Sequence, residues 1–463
     1  MNISIPNIAK LLPAIILSST LTAQQPEVKQ IRNLKRGVAE FQHATPEWSF
    51  NSNMYEVNIR QFSKEGTINA FASHLPRLQQ MGIGIIWLMP VQPIGLKERK
   101  GSLGSYYSIR DYMAINPEMG TMQDFITMVK KAHDLGIKVI LDWVANHTAW
   151  DHHWMQSNPE FYTRNEKGEM IPPVADWTDV ADLNYDNPEL RRAMTDAMLF
   201  WVKAADIDGF RCDVADMVPA DFWRNIRKEL DAIKPVFMLA EAENTEVHEN
   251  GFDMTYAFSH HHIMNDIAKG EKDALAIDAY RAEQEQKFKP EYTRMYFTSS
   301  HDENSWSGSE YERMGDGALA FAVLTFGMDG MPMIYSGQEA ALNKRLDFFE
   351  KDEIKWGNFP LQDFYTRLFK LKASNKALHH AGRGGRFIKI KTSNDKDVYV
   401  FARDTGEDKV LFILNLSNRN QRLNINDANL AGDYKELFSN SNKKFSAKER
   451  LNLKPWEYQV WVK

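Results

Sequence analysis

Residues 207–216, IDGFRCDVAD, and 236–243, VFMLAEAE, decide the fold, because each is a short apolar run that ends abruptly in acidic groups. Apolar runs of this length fit strands buried on both faces, as in a parallel sheet. A carboxyl at the buried end of such a strand is costly unless it is paired or put to use. The same pattern recurs at 54–60 (MYEVNIR), 84–89 (GIIWLM), 138–142 (KVILD), 252–256, 294–299 and 332–336. Between these runs lie amphipathic stretches such as 68–81 and 122–135, the second stopped by Gly136. Eight strands alternating with helices predict an α/β fold, a (β/α)8 barrel with its site at the C-terminal strand ends. An open doubly wound sheet is the alternative. The lack of a glycine-rich phosphate loop after the first strand and the polar residues at many strand ends weigh against it.

The gap from His147 to Asn187 is too long for a simple connection and is rich in Trp, Pro, Asp and Asn. Residues 148–187 are therefore expected to form a small subdomain, inserted after strand 3 and protruding over the site. Beyond residue 383 the pattern changes to short alternating strands at 386–391, 398–403, 410–416 and 458–462, separated by turn residues. This predicts a C-terminal antiparallel β-sandwich over 384–463 and leaves 24–383 to the barrel. At the other end, Lys10, the apolar run 11–17 and small residues ending in Thr22-Ala23 read as a secretory signal peptide over 1–23. The expected destination is the periplasm or the exterior, and the apolar run is too short to span a bilayer.

Across 463 residues, hydrophobic side chains make up 43 % and charged ones 25 %, the balance of a soluble globular protein. A net charge of -6 provides no basic field for phosphates, which excludes nucleic acid as the expected partner. The single cysteine, Cys212, can form neither an internal disulfide nor a cysteine-based metal cluster by itself. Strand alternation turns it away from Arg211 and Asp213, so it reads as a packed core thiol.

Four strand ends carry the chemistry: LDWVANHT (141–148), DGFRCDVAD (208–216), FMLAEAEN (237–244) and FTSSHDEN (297–304). Arg211 and Asp213 share a face, so the guanidinium is expected to keep Asp213 ionised, as a carboxylate nucleophile requires. Glu241 follows an apolar strand, and desolvation there would raise its pKa and retain the proton of a general acid. Two such carboxyls on adjacent strands suit a retaining glycosidase, and Asp302 would steady positive charge at the sugar carbon. His147 and His301 are expected to hydrogen-bond sugar hydroxyls. Glu243 and Glu303 read as supporting or solvent-facing. His260, His261 and His262 are contiguous, do not share a helix face, and read as surface residues at a helix start.

In order and placement these clusters resemble the four signature regions of the α-amylase superfamily, glycoside hydrolase family 13. VADLN (180–184), YYSIRDYMAINP (106–117), GMPMIYSGQE (330–339) and FFEKDEIKW (348–356) extend the likeness over residues 48–463. The resemblance implies Asp213 as nucleophile, Glu241 as acid/base and Asp302 as transition-state stabiliser. It implies Tyr107, His147, Arg211 and His301 as substrate-binding residues, with Asp142 and Asn146 in support. No cofactor is implied for the chemistry; a structural Ca2+ is, with Asn146 as the candidate ligand. The chain departs from the family at Ser300, where most members have Asn, at Tyr106, where many have Gly, and at Asp216-Met217, where many have Lys-His.

The expected activity is retaining hydrolysis of α-1,4 bonds in starch-like polymers or maltooligosaccharides. The alternatives are a cyclomaltodextrinase or neopullulanase-like hydrolase, an α-glucanotransferase or trehalose-forming isomerase, and a non-catalytic glucan-binding protein. Trp150, Trp154 and Trp177 are candidates for stacking on glucan, with at least one expected to be packing.

Overall fold

The computed structural model describes residues 43–463. The proposed signal peptide lies outside the described residues. Eight parallel strands close into a barrel: β1 (Met54–Val57), β2 (Ile85–Leu88), β3 (Lys138–Trp143), β6 (Gly209–Cys212), β7 (Phe237–Ala240), β8 (Met254–Tyr256), β9 (Thr293–Phe297) and β10 (Met331–Tyr335). Two further strands, β4 (His147–Ala149) and β5 (Val180–Asp182), pair antiparallel within the excursion after β3. Side chains of one parity, among them Met54, Ile85, Ile140, Leu239, Met295 and Met333, fill the barrel interior. Those of the other parity, including Tyr55, Ile86, Leu141 and Cys212, pack outward against the helices. The strands are thus apolar on both faces until their last inward positions, as the sequence indicated.

Two expected elements end differently. The run 54–60 leaves the sheet at Val57, because the Asn58 side chain accepts from Gln61 N and caps a short helix, Ile59–Phe62. The stretch 68–81 is two helices, Ile68–Ala72 and Leu75–Met81, separated at Ser73-His74.

The C-terminal part is a sandwich. One sheet runs β11-β12-β13-β18-β15-β16 and the other pairs β14 with β17. These strands are β11 (Arg386–Lys389), β12 (Val398–Asp404), β13 (Lys409–Asn415), β14 (Gln421–Asn426), β15 (Gly432–Glu436), β16 (Asn442–Phe445), β17 (Lys448–Leu453) and β18 (Tyr458–Val462). Val398, Val400 and Ala402 of β12 face Leu423 and Leu453 of the smaller sheet. Tyr399 and Phe401, on the opposite face, join the core around the barrel helices. Being buried on both sides, β12 and β13 were legible as apolar runs. Strands β14 and β17 bury alternate residues only and escaped that reading.

Candidate active site

Register builds the site. Asp142 of β3 lies beside Arg211 of β6, and Arg211 beside Leu239 of β7, so three inward positions at the barrel mouth adjoin one another. Asp142 Oδ1 accepts from Arg211 Nη1 at 3.0 Å, and its Oδ2 accepts from Trp87 Nε1 at 3.0 Å and Tyr107 Oη at 3.1 Å. The same Nη1 donates to Asp213 Oδ1 at 2.7 Å. Arg211 Nη2 lies 2.8 Å from Glu241 Oε1, a charge contact off the hydrogen-bond direction. One wholly buried guanidinium therefore holds three carboxyls, with Tyr256 Oη accepting from its Nε and the Trp87 ring 5.1 Å away.

A second cation stands opposite. His301 Nδ1 is 2.5 Å from Glu56 Oε1, and its Nε2 lies 2.8 Å from Tyr107 Oη and 3.1 Å from Asp302 Oδ2. Burial disfavours the charged imidazole, but Asp302 and Glu56 outweigh it and raise the His301 pKa well above the ordinary histidine value. Burial pushes Asp302 up, yet the imidazolium beside it brings the carboxyl below its usual range.

The remaining carboxyls move the other way. Burial, reinforced by Asp213 and Asp302 against the pull of Arg211, raises Glu241 to about 7. Burial also raises Asp213 to about 6. Arg211, shared among three carboxyls, limits that rise and leaves Asp213 mostly ionised at pH 7. Five carboxyls, Glu56, Asp142, Asp213, Glu241 and Asp302, thus face two cations, Arg211 and His301. The cluster retains protons near neutrality, Glu241 most tenaciously of the acids that line the cleft.

Backbone geometry fixes Glu241 further. Val214 N donates to Glu241 Oε2 at 2.8 Å from a left-handed conformation, φ 36°, that a β-branched residue rarely adopts. The strain at the residue after Asp213 aims that N–H at the neighbouring acid.

A cleft of about 360 Å3 opens over these groups, lined by Asp213, Glu241, Asp302, Tyr107, His147 and His301 among others. His147 is driven down to about 4 by burial and is therefore neutral at pH 7, suited to hydroxyl contacts rather than ion pairing. Trp177 meets its ring edge-on at 5.6 Å. Of the three tryptophans proposed to stack, Trp177 reaches the cleft, Trp154 is buried against Tyr112 and Phe161, and Trp150 donates to Thr178 O. Trp306, 55 % exposed and 5.0 Å from Phe348, forms the aromatic wall that sequence reading missed.

Glu56, Trp87 and Tyr256 were missed as well. Glu56 carried a usable signal, an acid within an apolar strand at the parity of Met54. The departures find local reasons: Arg60 lies 4.0 Å over the Tyr106 ring, and Ser300 Oγ accepts from Glu303 N. His260 and His261 correct the reading of a surface cluster. Both are buried, because their helix Phe258–Lys269 packs onto β9 with His261 stacked on Phe297 at 4.8 Å; His262 alone is exposed. Glu243 accepts from Ser259, and Glu303 pairs with His261, consistent with support. Asn146 is buried, with its amide nitrogen 3.3 Å from His147 Nδ1, and no group of three His, Cys, Asp or Glu suited to a metal occurs among the described residues.

With this geometry in view, residues 39–172 and 174–410 match the profile of the α-amylase catalytic domain, and 398–458 that of the α-amylase SusG C-terminal domain. The chain is 27 % identical to the α-amylase MalA of Haloarcula japonica across 81 % of its own length, and spans 56 % of that relative. It is 26 % identical to an α-1,4-glucan:maltose-1-phosphate maltosyltransferase of Picrophilus torridus, covering 90 % of this chain and 70 % of that one. A maltogenic α-amylase structure from Thermotoga neapolitana superposes with a TM-score of 0.82 at 28 % identity, covering 90 % of this chain and 99 % of the other. Among the described residues no helix is long and apolar enough to cross a membrane.

Proposed function

Since the chain belongs to the α-amylase catalytic-domain family, whose enzymes are hydrolases or transferases, we propose that it is a retaining hydrolase of α-1,4-linked glucans. One observation carries this reading: Arg211 gathers Asp213 and Glu241 onto one guanidinium at the mouth of the cleft, with Glu241 holding its proton more tightly than Asp213. Protonated Glu241 gives its proton to the glycosidic oxygen as Asp213 attacks the anomeric carbon. The sugar–oxygen bond breaks and a glycosyl ester forms on Asp213. Glu241, now ionised, takes a proton from water; the resulting attack breaks the ester and restores both carboxyls. Asp302 supports the oxocarbenium-like transition state, and Tyr107, His147, Arg211 and His301 bind and orient the ring. No step requires a cofactor. Export through residues 1–23 belongs to the same proposal; a mature protein beginning at Gln24 would support it.

Amylose and maltoheptaose are the test substrates. New reducing ends appearing first as the α-anomer, followed by NMR, are expected. β-Anomer first would overturn retention, and no new ends would overturn hydrolysis. The likeness to a maltosyltransferase keeps a second reading, transfer to a sugar hydroxyl. It would appear as products longer than the maltoheptaose supplied.

A further inference from the structure

Residues 100–103 tie together loops that come from three different parts of the barrel. Lys100, in the long connection after β2, donates to Asp176 O at 2.9 Å and pairs with Asp179 Oδ1 at 3.1 Å, both in the excursion after β3. Two residues on, Ser102 N donates to Glu350 Oε1 at 2.7 Å and its hydroxyl to Glu350 Oε2, in the loop after β10. Leu103 N reaches Phe349 O at 3.1 Å. Between them Gly101, at φ +64°, presses so close that a Cβ there would lie 2.5 Å from Phe349 Cβ. The span is stiff. Arg99 donates to Gly95 O and Ile94 O at its base, and Arg60 to Leu103 O and Gly104 O beyond.

Lys100, Asp179 and Phe349 all line the cleft that holds Asp213 and Asp302, so this seam is a wall of the cleft. A separate groove of about 330 Å3 starts at Ala215, next to the Val214 whose N–H holds Glu241 Oε2, and continues past Met217 and Asn244. The acid must face the leaving group, which assigns that groove to the departing sugar and the walled pocket to the glycone. Its volume of about 360 Å3 is at the low end for small-molecule pockets, roughly 300–1,000 Å3. We infer that the Lys100–Ser102 seam closes the glycone end of the cleft, so that the enzyme cuts short units from the non-reducing ends of α-glucan chains rather than within them. This rests on the hydrolase reading above and adds the substrate's free end to it.

The test compares p-nitrophenyl maltoheptaoside having a free non-reducing end with the same compound carrying a 4,6-O-ethylidene block there, products being followed by mass spectrometry. The free compound is expected to be cut at least about tenfold faster. Two variants loosen the seam from opposite sides, Lys100→Ala at the Asp179 contact and Gly101→Val at the Phe349 contact; in either, the blocked-to-free rate ratio is expected to rise severalfold. Because it is a ratio within one preparation, partial misfolding does not mimic it. Equal rates in the parent protein would overturn the inference and leave the hydrolase reading intact. Strong discrimination unchanged in both variants would overturn the seam as its cause. No cleavage of either compound would overturn the hydrolase reading itself.

Discussion

The mouth of the barrel and its junction with the C-terminal sandwich bury charge to the same depth and use it in opposite ways. At the junction, Arg403 donates to the carbonyls of Gly385 and Gly327 and to Asp329, and Lys372 donates to those of Gly330 and Leu378. These side chains join segments by capping backbone oxygens, and Phe401, stacked on Phe412 at 4.7 Å, packs against Gly327 beside them. At the mouth, carboxyls outnumber cations, one backbone residue is strained, and an open cleft meets the cluster. The contrast teaches that burial alone does not mark a reactive site. Imbalance among the buried charges, facing a cavity, does.

The largest effect is expected from Asp213→Asn. Activity on maltoheptaose is expected to fall at least about a thousandfold. Because the folded-state pKa of Asp213 is raised from 3.8 to about 6, its ionisation costs stability as pH climbs through that window. The variant should therefore melt at the same temperature as the parent or higher at pH 7, read by circular dichroism. A lower melting temperature would mean that the mouth is built for stability like the junction.

Arg403→Leu is the reciprocal change. It should remove about 1–3 kcal/mol of stability by leaving buried carbonyls unpaired, measured by urea unfolding, while activity per folded molecule stays within twofold of the parent, about the noise of such assays. For the parent, kcat/KM should follow a bell with an acid limb near 6 and a basic limb near 7, set by the Asp213–Glu241 pair.

Glu56→Gln acts on the alkaline side. The His301 pKa is raised, so its stabilisation is complete below about 6.5, the ordinary histidine value, and is lost as pH rises through the folded value. The parent should lose more melting temperature between pH 7 and 10 than the variant. The smallest effect is expected from Val214→Gly. Relief of the left-handed strain and the added unfolded-state entropy should nearly cancel, for a net change under about 1 kcal/mol. The acid nevertheless loses a rigid donor, so kcat should fall more than KM changes.

Much of this was legible in the chain because both the fold and the site obey short-range rules. Apolar strands ending in acids marked β3, β6 and β7, and alternation placed Arg211 with Asp213 and sent Cys212 to the outer core. What escaped depended on neighbours far along the chain. Glu56 became a site residue because β1 closes the barrel and brings it to His301, 245 residues away. His260 and His261 looked like surface groups until their helix met β9. Trp154 looked like a platform until Tyr112 packed against it.

The barrel, the sandwich and the residues of the four strand ends follow from the chain alone, since periodicity and burial act between near neighbours. Only the folded arrangement showed that one guanidinium is divided among three carboxyls, so that Asp213 is raised along with Glu241. It also decided that loops after β2, β3 and β10 meet at Lys100–Ser102. Those outcomes rest on register and on electrostatics in a shared low-dielectric space, where each group's state depends on every other group folded against it.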